Sequence, residues 1–127
     1  MSNYSTGTGF ESEIKKFFKE YDLVSFLTAI PEHFDVLVIN SQKTFIAIEC
    51  KTIHSNTEIL PTYREKNLEQ LTYLYELSKK FPVLYAIKFI SKQESIINFF
   101  PLNNMILERY AYYGITKRDI IEYVRNL

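Results

Sequence analysis

Residues 34–51 read FDVLVINSQKTFIAIECK, and this stretch decides the fold of the chain. Two apolar runs rich in β-branched residues predict two strands, over residues 34–40 and 44–52. The polar residues between them are typical of a turn. The stretch therefore predicts a β-hairpin. Three charged residues lie within it: Asp35, Glu49 and Lys51.

The length of the turn decides which residues of the hairpin face each other. A three-residue loop, residues 41–43, pairs Asp35 directly with Glu49, with Cβ atoms about 5 Å apart. Glu49 and Lys51 are two positions apart in a strand and share a face. A loop of two or four residues would turn Asp35 away from Glu49, unless a β-bulge restored the facing.

Two carboxylates that face each other repel, and burial raises the pKa of one of them unless a positive charge lies between them. A divalent cation would remove this conflict. An all-oxygen ligand set favours Mg²⁺, with Mn²⁺ as a substitute, over zinc. Lys51 could orient a water or stabilise charge on a phosphate. The alternative is a solvated strand end, because an E-x-K triplet is common.

A helix should begin near Thr8, which has the capping-box spacing to Glu11. Glu11 lies near the edge of the face that this helix should bury, so it is a fourth group that could reach the hairpin. The predicted buried face is formed by Ile14, Phe17, Phe18 and Tyr21.

The rest of the chain predicts an α/β fold with a mixed sheet flanked by helices. A strand after a crossover helix is most simply parallel to its neighbour. The element order is αβββαβ(β)α, around an αβββαβ core. The further predicted elements are strands at 23–28, 83–90 and 96–100, a helix at 63–80, and a last helix opened by Thr116 and Asp119.

Composition predicts one compact domain over residues 1–127, since 46% of the residues are hydrophobic. The only cysteine, Cys50, excludes an internal disulfide and should be an inert core residue. No segment approaches the roughly 18 apolar residues that span a bilayer, so we expect a cytoplasmic protein with no membrane partner. Fifteen basic and fifteen acidic residues cancel, so DNA binding would need a local basic patch. Candidates are Lys15, Arg64 and Lys66.

Three strings resemble the PD-(D/E)XK nuclease superfamily and, within it, the archaeal Holliday junction resolvases: GTGFESEI, FDVLVI and AIECKT. The resemblance assigns Glu11, Asp35, Glu49 and Lys51 as the catalytic residues. It implies that Glu11, Asp35, Glu49 and the Cys50 backbone carbonyl hold Mg²⁺. Gln70 and Asn67 resemble a polar helix position that this superfamily often carries near its site.

The resemblance implies a single nuclease domain with a restriction-endonuclease-like sheet. The expected activity is that of a Mg²⁺-dependent endodeoxyribonuclease, a hydrolase of DNA phosphodiesters that resolves four-way junctions in recombination and repair. Similar proteins are homodimers, and a nucleoid-associated location follows. Part of the aromatic set could form the dimer interface or the core: Phe99, Phe100, Tyr110, Tyr112 and Tyr113.

Two other functions stay open. One is another nuclease of the same superfamily, restriction-like or specific for single strands. The other is a nuclease-derived module that binds DNA without cutting it. His33 and His54 flank the hairpin in sequence, but their spacing does not indicate a ligand pair, so we interpret them as loop residues.

Overall fold

A computed structural model describes residues 2–28, with side chains from residue 9, and residues 34–54, 68–92, 94–102 and 114–127, except the Leu68 side chain. Its elements are α1 (Ser2–Lys19), β1 (Val24–Leu27), β2 (Val36–Ile39), β3 (Phe45–Ile53), α2 (Leu68–Leu77), β4 (Val83–Ile90), β5 (Ser95–Pro101), β6 (Ile115–Thr116) and α3 (Lys117–Arg125). No helix among the described residues is long and apolar enough to cross a membrane.

The strands form one mixed sheet in the order β1-β2-β3-β4-β5-β6. Strands β3 and β4 are parallel, and every other neighbouring pair is antiparallel. The predicted parallel pair is confirmed, and β4 has the predicted bounds because its apolar run is ended by Pro82 and Ser91. Of the helix predicted at 63–80, residues 63–67 lie outside the described part of the chain.

The hairpin has the predicted three-residue loop. Val36 pairs with Ile48 and Ile39 with Phe45, which is the predicted register. Just before β2, the N–H of Asp35 also donates to the carbonyl of Ile48, so the regular ladder ends at Val36 with a bulge-like step at Asp35. Lys43 has a φ of 65°, the left-handed conformation that closes three-residue hairpin loops.

The side chain of Asn40 fixes this turn from within. Its Oδ1 accepts the N–H groups of Gln42 and Thr44, each at 3.0 Å. Its Nδ2 donates to the carbonyl of Val124 at the end of α3, at 2.9 Å. The hairpin turn is thereby tied to the last helix.

Side chains alternate between two apolar layers because the strands alternate their faces. Helices α1 and α3 cover one layer, which includes Ile14, Phe18, Val38 and Ile48. Helix α2 covers the other layer through Leu71, Leu74 and Leu77, which pack on residues of β3, β4 and β5. Glu49 and Lys51 belong to the α2 face, whereas Cys50 packs against the α1 face.

Two predictions about the elements are wrong, and one short strand was missed. Helix α1 begins at Ser2, so Thr8 lies inside it and does not cap it. Residues 5–9 read STGTG. Gly costs a helix interior only about 1 kcal/mol relative to alanine, and Ser and Thr cost less, so this segment weakens the helix without ending it. Tyr21 follows the helix and is exposed. The short strand β6 was not predicted, because two residues carry no readable period.

The expected N-terminus of α3 is confirmed: Thr116 caps it and accepts the N–H of Asp119 at 3.3 Å. Phe99 and Phe100 are buried in the two core layers, so they cannot contribute to a dimer interface. Tyr110, Tyr112 and Tyr113 lie outside the described residues.

Gly114 should be required for packing, whereas Gly9 should not. A Cβ on Gly114 would lie 2.7 Å from Phe100 Cζ and 2.8 Å from Asn98 Cβ. We therefore expect Gly114→Ala to lower the free energy of unfolding by about 1–3 kcal/mol, the usual cost of overpacking. Gly9 lies in α1, and no atom of the described residues comes within 4 Å of such a Cβ. Gly9→Ala should raise stability by about 0.5–1 kcal/mol. Urea titrations of both variants test this contrast, and equal effects would contradict it.

Candidate active site

Asp35 precedes the first residue of β2 and is held by backbone bonds on both sides. Its N–H donates to the carbonyl of Ile48 at 2.9 Å, and its own carbonyl accepts the N–H of Thr28 at 3.0 Å. The Thr28 hydroxyl also donates to the carbonyl of Phe34. Asp35 Oδ2 accepts the N–H of Cys50 at 2.8 Å. The carboxylate therefore bonds directly to the backbone of β3 and has a fixed position there.

Glu49 is buried, with 5% of its surface exposed. Its Oε2 accepts a hydrogen bond from Gln70 Nε2 on α2 at 2.8 Å. The same oxygen lies 3.3 Å from Lys51 Nζ. Oε1 is buried and has no hydrogen-bond partner among the residues that the structure describes. The carboxyl group is thus held through one oxygen while the other is left without a partner.

Glu11 reaches this cluster from α1, on the other layer of the fold. Its side chain hydrogen-bonds to Asp35, and Asp35 also hydrogen-bonds to Glu49. Asp35 is the shared partner because it lies just outside β2, where side chains from both layers reach it. The predicted meeting of Glu11, Asp35 and Glu49 is therefore observed.

Burial and mutual repulsion perturb two of these carboxyls. The pKa of Glu49 rises from 4.5 to about 8, first through burial and then through the charge of Asp35, and the opposing charge of Lys51 only partly offsets this. Burial and the charge of Asp35 raise the pKa of Glu11 to about 7. Acidic groups with raised pKa values that share one place are a feature of functional sites.

Cys50 and Lys51 complete the hairpin end. The Lys51 side chain is 21% exposed, and its ammonium lies on the same sheet face as Glu49. Burial, with the charges of Asp35 and Glu49, raises the pKa of the Cys50 thiol well above its usual value. A thiol of this kind is protonated and unreactive at neutral pH.

The predicted DNA-binding residues are only partly described. Lys15 is half-exposed and lies one helical turn beyond Glu11 on the same side of α1. Arg64 and Lys66 lie outside the described residues, as do Asn67 and His33. His54 is exposed.

The contact between Gln70 and Glu49 exceeds what the sequence indicated. The spacing of Gln70 was not distinctive, yet its side chain lies against Glu49. The sequence did carry a signal for this contact. Gln70 lies four positions before Leu74 and seven before Leu77, so all three share the face with which α2 packs on the sheet.

The carboxylate oxygens of this site are suitable ligands for a hard cation, although the described residues do not form a complete coordination shell. Over the described ranges, no three Asp, Glu, His or Cys side chains are placed as a metal site. The carboxyls hydrogen-bond through Asp35 instead. Carboxylate oxygens are the ligands that Mg²⁺ and Mn²⁺ take, and Glu49 Oε1 is a buried oxygen in need of a partner.

Neither a family model nor a curated protein matches the sequence. The structure is similar to the 1.6 Å structure of Hjc, a Holliday junction resolvase from the archaeal hyperthermophile Archaeoglobus fulgidus. The TM-score is 0.64 and the identity 19%, over 93% of this chain and 97% of that one. The likeness shows the fold: this chain, like that resolvase, has a mixed sheet flanked by helices.

Without divalent cations, the stability of the protein should fall as pH rises. The folded pKa of Glu49 lies above its unfolded value, so folding favours the protonated form. The associated stability is present below pH 4.5 and is lost as pH rises through about 8. Each tenfold change in proton affinity corresponds to about 1.4 kcal/mol. Glu49→Gln should therefore unfold at a higher temperature than wild type at pH 8.5, with a smaller gain at pH 5.

Thermal melts in a chelating buffer measure this difference. Glu122→Gln, at an exposed position of α3, is the matched control and should follow wild type at both pH values. A Glu49→Gln melting temperature that parallels wild type across the range would contradict the raised pKa.

Proposed function

We propose that this protein is a metal-dependent, structure-selective DNA endonuclease that resolves four-way junctions by phosphodiester hydrolysis. The observation that carries the proposal is the cluster of Glu11, Asp35 and Glu49 beside Lys51. The similarity of the fold to a Holliday junction resolvase supports the substrate class. The proposal makes the chain a single nuclease domain that acts in DNA recombination and repair.

Mg²⁺, or Mn²⁺ in its place, is the proposed cofactor. Glu11, Asp35, Glu49 and the Cys50 carbonyl would hold it. When bound, such an ion lowers the pKa of a coordinated water and offsets charge on the phosphate. The protonated state that Glu11 and Glu49 favour in its absence fits this role, because a cation and a proton compete for the same oxygens.

Other groups of the protein would position the metal ligands and the substrate. The N–H of Cys50 fixes Asp35, so this carboxylate does not have to be ordered when substrate binds. Gln70 and Lys51 hold Oε2 of Glu49 and leave Oε1 free to bind. The partly exposed Lys51 places a positive charge where a phosphate oxygen or an attacking water would approach.

DNA contacts would come from a local basic surface, because the net charge of the chain is zero. Lys15 lies beside Glu11 on α1 and is the described candidate for a phosphate contact. Arg64 and Lys66 remain proposed contacts. A branched junction is recognised largely by shape and backbone, which such contacts serve.

We also propose that the protein acts as a homodimer, since a four-way junction presents two equivalent strands to cut. The pairing registers place Val24, Phe26 and Phe45 on one sheet face, and all three are exposed. Phe81, also exposed, stacks on Phe45 at 6.4 Å between ring centroids. Apolar exposure of this kind is typical of a protein interface, and a second copy is the proposed occupant.

Cleavage of a synthetic four-way junction tests the activity. Wild type should cut the junction with Mg²⁺ or Mn²⁺ and not with a chelator. Glu49→Ala and Lys51→Ala should slow single-turnover cleavage by at least about 100-fold, the scale of losing one charge-stabilising group. Gln70→Ala should slow it by about 10–100-fold, as for residues that orient metal ligands. Glu76→Ala, exposed on the same helix as Gln70, should cut like wild type.

Each alternative gives a distinct outcome in this assay. Equal cutting of duplex or single-stranded DNA would indicate another type of nuclease. Junction binding without cutting of any substrate would indicate a non-cutting module. Undiminished cutting by Glu49→Ala would remove the proposed site.

Sedimentation equilibrium tests the dimer. Wild type should have twice the monomer mass of 15.1 kDa, and Phe26→Ser should shift the equilibrium toward monomer by at least tenfold, since apolar anchors dominate such interfaces. Ile96→Ser, at an exposed position of β5, is the control. Equal dissociation of both variants would exclude this face.

A further inference from the structure

We propose that Lys88 of β4 is a positioning residue for the active site: it holds α1 through Glu13 and Phe10 and so sets the approach of Glu11 to Asp35. The inference rests on the proposed function, because Glu11 matters only if the carboxyl cluster works. It concerns residues outside that cluster.

The contacts of Lys88 join two distant parts of the chain. Its Nζ lies 2.8 Å from Glu13 Oε1 and 5.6 Å from the centre of the Phe10 ring. The ammonium is partly shielded, with 23% of the side chain exposed, and Phe10 is buried. One lysine therefore makes both an ion pair and a cation–π contact to the same turn of α1.

Glu11 lies within that turn. Phe10 and Glu13 are three residues apart and share one side of the helix, while Glu11 points about 100° away from Phe10. A grip on Phe10 and Glu13 therefore fixes the rotation of α1 about its axis. That rotation decides where the carboxyl of Glu11 lies.

A small rotation would be enough to separate the carboxyls. Cα atoms lie about 2.3 Å from the helix axis, and a glutamate carboxyl extends to about 6 Å. A 20° turn would move it by about 2 Å, which breaks a hydrogen bond. The main packing of α1 is on β1, β2 and β3, and Lys88 extends this hold to β4.

The competing role for Lys88 is a direct phosphate contact, and Glu13 separates the two roles. If Lys88 positions α1, removing the charge of Glu13 weakens the contact between Lys88 and the helix, so the site should bind metal less tightly. If Lys88 contacts DNA, removing that charge frees the ammonium and strengthens DNA binding. The two roles therefore predict opposite effects of Glu13→Gln.

The test uses four variants of the full chain: Lys88→Met, Lys88→Arg, Glu13→Gln and the reversed pair Glu13→Lys with Lys88→Glu. Lys92→Met, at an exposed position after β4, is the control. Calorimetric titration with Mn²⁺ alone measures metal affinity without DNA. Junction affinity is measured separately in a chelating buffer.

Lys88→Met and Glu13→Gln should each weaken Mn²⁺ binding by about 10–20-fold, at the lower end of the range for residues that orient metal ligands. Lys88→Arg should recover most of this affinity, and the reversed pair, which restores the ion pair but not the cation–π contact to Phe10, should recover part of it. Junction affinity in chelator should stay within about twofold of wild type for both single variants, and Lys92→Met should match wild type throughout. Rescue by charge reversal separates positioning from general destabilisation.

Unchanged Mn²⁺ affinity in Glu13→Gln would overturn the proposal, as would weaker junction binding by Lys88→Met with tighter binding by Glu13→Gln. A wild type that binds no Mn²⁺ also overturns it. A wild type that binds Mn²⁺ but cuts no DNA defeats the proposed function alone, because the titration still reports on the contact between Lys88 and α1. If Lys88→Met does not fold, Glu13→Gln and the reversed pair decide the result.

Discussion

The burial of the Glu49 carboxyl beside Asp35 is the constraint on which the rest of this structure depends. The three-residue turn sets the register that puts both groups on one face of the hairpin, and the parallel pairing of β3 with β4 leaves Glu49 beneath α2. Neither carboxyl can move away, because the backbone of β3 holds Asp35 and the buried layer encloses Glu49. The polar groups that contact this pair of carboxyls are the N–H of Cys50 at Asp35, and Gln70 and Lys51 at Glu49.

Both layers of the fold contribute to that arrangement. Helix α2 supplies Gln70 on one face of the sheet, and α1 supplies Glu11 from the other. A purely structural hairpin would gain stability from an apolar residue in place of Glu49, since a buried carboxyl with an unpaired oxygen is costly. Three carboxyls brought together from α1, the start of β2 and β3 are the kind of local cost found at functional sites. Two residues beyond Glu11 on α1, Glu13 forms a further charged contact with Lys88 of β4.

The fold is shared with an archaeal resolvase at only 19% identity. Such divergence leaves the pattern of buried and exposed positions intact, because cores accept many apolar combinations of similar volume. Here the strongest patterns led to the most accurate predictions: β4, the hairpin register and the Thr116 cap. Weak local signals failed where packing decided the outcome. The STGTG segment, residues 5–9, continues α1. For Phe99 and Phe100, the sequence left core and interface open, and packing places both in the core.

The sequence by itself determined the strands, the parallel crossover and the register of the hairpin, because side-chain period and turn length are local properties of the chain. It also singled out Glu11 as an acidic residue at the edge of a buried helix face. Only the tertiary structure decided that Glu11 hydrogen-bonds to Asp35, that Gln70 occupies one oxygen of Glu49, and that Lys88 grips α1. These contacts join residues from 21 positions apart, for Gln70 and Glu49, to 78 positions apart, for Lys88 and Phe10. They depend on how the helices pack on the sheet, and the spacing of apolar residues within one element does not specify that packing.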